Sequence, residues 1–154
     1  MEENKQPTGP SVQIHSQFIK DLSFEAPGMP FEMATLKSAP KIAVDIDVKV
    51  NKTEKENLFT VDLHINTVAK KADEDKTLFL CELEYGSLVS LNVPKEHMEP
   101  ILIVEVPHLL FPFARAIIAN ITRESGLPPL QINPIDFAAL YRSKLNTQQP
   151  EQKN

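Results

Sequence analysis

A single cysteine, Cys81, stands in the 154-residue chain. No disulfide can close within the chain and no multi-thiolate metal site can form, which fits a reducing compartment. Glycine is scarce, with four residues in all, and none falls in a GxGxxG or Walker pattern, so no phosphate-cradling loop is present. The four histidines (His15, His64, His97 and His108) are far apart in sequence and form no metal-ligating spacing. Positive charge is also short. The formal net charge is −5, which argues against nucleic acid as a partner, because a phosphate backbone demands clustered Lys and Arg. No stretch approaches the roughly 18 consecutive apolar residues of a membrane span. The amino terminus, "MEENKQPTGP", lacks the basic start and apolar run of a secretory signal. These absences lead to the expectation of one cytoplasmic domain without metal or cofactor. Catalysis has little to rest on: Cys81 falls on the apolar side of a strand, and Asp45 and Asp47 on an ordinary wet strand face.

What is present is alternation. Residues 41–50 place Ile42, Val44, Ile46, Val48 and Val50 on one side and Asp45, Asp47 and Lys49 on the other. Period two with β-branched residues is the pattern of a strand that is wet on one face. Residues 58–70 alternate in the same way, with Phe59, Val61, Leu63 and Ile65 opposite Thr60, Asp62, His64 and Asn66. Residues 76–91 give a fourth strand, and residues 12–24, partly alternating, a first. Short charged links join the second, third and fourth strands, which suggests one antiparallel sheet. The link 26–40 carries three prolines and is ordered only if something pins it.

After residue 91 the period changes. Residues 113–125 read as a helix with the stripe Ile117, Ile118 and Ile121, and Gly126 is placed to end it. Pro112 marks either its first turn or a kink. Asn133 suits an N-cap for a second helix over 134–145, with Pro134 at the first position and Asp136 in the first turn. The stripe of that helix is led by Phe137, Leu140 and Leu145. Strands first and helices last make an α+β fold, a four-stranded antiparallel sheet with C-terminal helices packed on one face. The expected domain spans residues 11–145, with disordered tails at 1–10 and 146–154.

Two surfaces remain. If every apolar strand face points to one core, Asp21, Glu25, Asp45, Asp47, Asp62, Glu82 and Glu84 gather on the open side of the sheet, with Leu80 among them. Residues 20–85 hold thirteen acidic against nine basic side chains. Such a face steers a basic partner, or keeps the sheet soluble. The helical half carries more apolar residues than one four-stranded sheet easily covers. It either completes the core or serves self-association or a groove.

The stretches "KDLSFEAP", "FLCELEYGSLVSL" and "LFPFARAIIANITRESGLPPLQINPIDFAALY" resemble, in the same order, the SecB family of bacterial protein-export chaperones. The resemblance runs from about residue 12 to 141. It implies a homotetramer, a dimer of dimers, that binds unfolded precursor proteins without ATP and passes them to the SecA motor. Carried over by position, Asp21, Glu25, Leu80 and Glu82 meet SecA. The client groove takes Phe31, Phe79, Leu127, Ile132, Phe137, Leu140 and Tyr141. Cys81, Leu83 and Tyr85 stand where disturbance weakens the tetramer. The chain departs from the family in its tail, "NTQQPEQKN", which is not strongly acidic, in Phe113 where tyrosine is usual, and in a link 26–40 without tryptophan. A structural homo-oligomer without clients is the rival reading.

Overall fold

The computed structural model describes residues 9–148 of the chain, so most of the two expected tails lies outside the described residues. Four strands form one antiparallel sheet: β1 (Ser11–Glu25), β2 (Lys41–Lys52), β3 (Leu58–Lys70) and β4 (Thr77–Asn92), in the spatial order β1-β4-β3-β2. The two alternating hairpins β2–β3 and β3–β4 pair nearly throughout their length. Their odd-numbered residues on β3 and β4 (Val61, Leu63, Ile65, Cys81, Leu83, Val89) are buried on one face. β1 alternates only in part because its register against β4 shifts at His15 and again at Lys20. Each extra residue flips the parity of the strand beyond it. Two flips restore it, so Ile14, ahead of both bulges, and Leu22 and Phe24, past them, all reach the apolar face.

The buried face is covered by helix. The expected helix over 113–125 is the last part of a far longer one, which starts at α2 (Lys95–Pro100), passes a π turn (Ile101–Glu105) and continues as α3 (Val106–Glu124). Pro112 is neither its start nor its end but an interior residue. Tertiary burial of Leu102, Val106, Leu110, Phe111, Ala114 and Ile118 against the sheet outweighs the cost of the prolines. The widened π ladder ends just before Pro107. By length and composition alone the helix Lys95–Glu124 passes as a membrane span, although it holds no unbroken apolar run of that length. In this fold its apolar inner side packs on the sheet as a core helix.

Gly126 ends α3 as expected, at φ +81. Leu127 N donates to Thr122 O (3.2 Å) and Gly126 N to Arg123 O (3.1 Å), the paired bonds of a glycine-capped helix end. Thr122, fully buried, then catches the outgoing chain: its Oγ1 accepts from Leu130 N at 2.9 Å. Residues 128–136 form neither helix nor strand and lead to α4 (Phe137–Gln148). This last helix begins three residues later than expected and continues past Leu145. Its N-cap is Asp136, whose Oδ1 accepts from Ala139 N at 2.9 Å, rather than Asn133. The link 26–40 is pinned. It holds a single helical turn, α1 (Phe31–Ala34), and Met29, Met33 and Leu36 pack on Leu78, Phe79 and Leu127.

Candidate functional site

The open face of the sheet is ordered in rows by strand register. One row runs Ser23, Glu82, Asn66, Asp45 from β1 to β2, and its neighbour runs Asp21, Glu84, His64, Asp47. Beyond them Glu25 pairs with Leu80, and Leu80 with Val68. The expected gathering of carboxylates is there, but they are not equivalent. Asp62 is 1% exposed. The bulge at Lys20 lays that ammonium over it, at 2.9 Å from Asp62 Oδ2 and 3.1 Å from Glu84 Oε1. Hydrogen bonds to these two carboxylates, with their charge, push the Lys20 pKa up. His64 Nε2 lies 3.3 Å from Glu84 as well. One ammonium thus ties down two carboxylates at the centre of the face. Asp21, Glu25, Glu82 and Asp45 stay exposed around half-buried Leu80 and Val68. The chemistry offered is a rim of carboxylates about a small apolar spot.

At the opposite edge lies a groove of about 540 Å³. Ile42, Val44 and Ile46 of the edge strand β2 form one wall, and Leu130, Ile132, Ile135 and Leu140 the other. Ile42 and Val44 are exposed, and β2 has a partner on one side only, so its outer backbone groups face outward beside apolar side chains. The wall opposite is set by the Thr122 catch and by Arg115, whose guanidinium donates to Gln131 Oε1 at 3.3 Å. α4 is tied at three points. The Phe137 ring meets Phe111 edge-on, with centroids 6.0 Å apart. Tyr141 lies beside Glu99, and partial desolvation together with that carboxylate raises the phenol pKa. Lys144 pairs with Asp47, whose carboxyl is held below its ordinary range by that hydrogen bond.

The expected groove residues divide. Leu140 and Tyr141 are half-buried; Leu140 lines the groove, whereas Tyr141 is turned to Glu99 and is not part of its lining. Ile132 lines it while largely buried, and Phe137 is 3% exposed in the main core. Phe79 and Leu127 are buried in a second cluster beneath the link 26–40, while Phe31, on that link, is 80% exposed. Cys81, Leu83 and Tyr85 are buried in the subunit's own core. Burial raises the Cys81 thiol pKa, which suits a packing residue and not a nucleophile. Two apolar features escape the sequence pattern. Alternation sends Ile42 and Val44 to the core face, yet both are exposed at the sheet edge, and the outer side of α3 leaves Leu109 and Phe113 about half exposed. The spacing of four between Leu109 and Phe113 is the available signal, hidden when Pro112 is taken as a boundary.

The comparisons with known proteins agree with this arrangement. Residues 4–148 match the model of the family described as preprotein translocase subunit SecB. The protein-export protein SecB of Granulibacter bethesdensis is 44% identical over 149 residues, covering 93% of this chain and 87% of its own. That of Hyphomonas neptunium is 47% identical over 137 residues, covering 88% and 79%. Among solved structures, the Mycobacterium tuberculosis SecB-like chaperone in complex with a ChAD peptide from an antitoxin aligns with a TM-score of 0.65 over 80% of this chain and 90% of its own. At 13% identity that is a likeness of fold. A match over nearly the whole length, with relatives at this level of identity, makes the chain a member of the SecB family of protein-export chaperones.

Proposed function

We propose that this chaperone holds unfolded precursor proteins by their apolar side chains, without nucleotide, in the groove between β2 and the segment that leads into α4. The observation that carries the reading is the groove itself: exposed Ile42 and Val44 on an edge strand, facing Leu130, Ile135 and Leu140. An extended chain laid along β2 gains backbone hydrogen bonds and buries every second side chain, which suits guests of unrelated sequence. Of the residues that the resemblance gives to clients, Leu140 and Ile132 line that groove, Tyr141 lies on α4 against Glu99, Phe31 stands exposed on the link, and Phe79 and Leu127 lie under it. Phe137 supports the wall from within the core.

The acidic face is the docking surface for the SecA motor, through Asp21, Glu25, Leu80 and Glu82. Exposed carboxylates around an apolar spot steer a basic partner and then grip it. The assembly is a homotetramer, a dimer of dimers, in the cytoplasm. The half-exposed Leu109 and Phe113 on α3 and the uncovered Val12 and Ile19 on β1 give it apolar surface to share. Cys81, Leu83 and Tyr85 act on assembly indirectly, by setting how α3 sits on the sheet. The test is aggregation of a chemically denatured enzyme on dilution. Without nucleotide, the protein suppresses light scattering at near-stoichiometric amounts. A structural oligomer without clients leaves the scattering unchanged.

A further inference from the structure

The second apolar cluster lies at the end of the groove. Its base is Ala69, Leu78, Phe79 and Leu127, and the chain's own Met29, Met33 and Leu36 pack over it. Leu130 belongs to both clusters and lines the open groove, so the covered base continues the groove beyond Leu130. Methionine is flexible and adapts to many surfaces, as an exchangeable occupant must.

The covering link is fastened by charge at its rim. Glu32 of α1 pairs with Lys71 and, at 3.3 Å, with Lys76, both flanking the β3–β4 turn. Lys71 donates further to Thr35 Oγ1 at 3.1 Å. Hydrogen bonds from the two lysines hold the Glu32 carboxyl below its ordinary range. At its start the link lies flat on β4. Gly28 N donates to Leu78 O at 3.2 Å, and a Cβ at Gly28 would stand 2.8 Å from Leu78 Cα, so only glycine allows this approach.

We propose that residues 26–40 act as an internal stand-in for the client: Met29, Met33 and Leu36 fill the far end of the groove, and the clamp of Glu32 on Lys71 and Lys76 sets how often they leave it. The inference rests on the client-groove reading above. A site that is open for only part of the time binds more weakly by that fraction. Loosening the clamp therefore tightens client binding.

The test uses the full-length protein and a fluorescent, reduced and carboxymethylated α-lactalbumin as a permanently unfolded probe, titrated at low and at high sodium chloride. Glu32→Gln binds the probe about threefold more tightly than the wild type at low salt. The difference closes at high salt, where screening loosens the wild-type clamp. Glu32→Lys combined with Lys71→Glu and Lys76→Glu restores the clamp with its signs exchanged and returns affinity to the wild-type value, which a folding defect would not do. Equal affinity of wild type and Glu32→Gln at every salt concentration overturns the clamp and leaves client binding standing. Failure of both proteins to bind the probe overturns both.

Discussion

Glu25→Lys combined with Glu82→Lys lowers the affinity for SecA about a hundredfold, each tenfold standing for about 1.4 kcal/mol, and leaves the binding of unfolded polypeptide unchanged. Both side chains are exposed. Glu25 is the cross-strand partner of Leu80, and Glu82 lies on the same face two residues further along β4. Reversal therefore turns attraction into repulsion at the centre of the proposed docking surface without touching the core. The same change at Asp62 reports something else, because that position is buried and a lysine there would lie against Lys20. Calorimetric titration at low ionic strength measures the effect, and the difference shrinks as salt screens the surface charges. Undiminished SecA affinity in the double variant places the docking surface elsewhere.

Ile42→Asp combined with Leu140→Asp weakens the binding of an unfolded probe about tenfold while the protein keeps its fold and its affinity for SecA. One residue stands on each wall of the groove, and neither is fully buried, so the carboxylates meet water in the free protein and an apolar guest in the complex. Phe137→Asp is the instructive contrast. Phe137 is packed in the core against Phe111, and truncating such a ring already costs about 3–5 kcal/mol. A carboxylate there undocks α4, so lost client binding in that variant measures the fold and not the groove. Fluorescence anisotropy with the probe, beside a melting curve for each variant, separates the two. Unaltered probe binding in the Ile42 and Leu140 double variant contradicts the assignment of the groove.

The sheet is legible because β2, β3 and β4 alternate strictly and their links are short. Parity alone puts the carboxylates on one face. Parity does not show that Lys20, at a bulge, pairs with both Asp62 and Glu84, since the bulge depends on pairing with a distant strand. The long helix reads short because Pro100, Pro107 and Pro112 mask its period, and only its packing on the sheet makes them tolerable. Asn133 offers a better local cap signal than Asp136, yet the non-helical stretch caught by Thr122 carries the chain past it before a helix starts. The groove residues are the hardest to read. Phe79 and Leu127 are as apolar as any client-contacting side chain, and what hides them is the link, pinned by Glu32 to lysines some forty residues away. The family resemblance supplies roles that no local pattern contains.

The central claim is that one subunit exposes more apolar surface than it can hide, and shares it between sister subunits and unfolded guests. Native mass spectrometry of the protein, alone and mixed with an unfolded polypeptide in the absence of nucleotide, tests that claim most directly. The account predicts a four-chain assembly that gains the mass of the polypeptide on mixing. A single chain that stays at its own mass with the polypeptide present would contradict it.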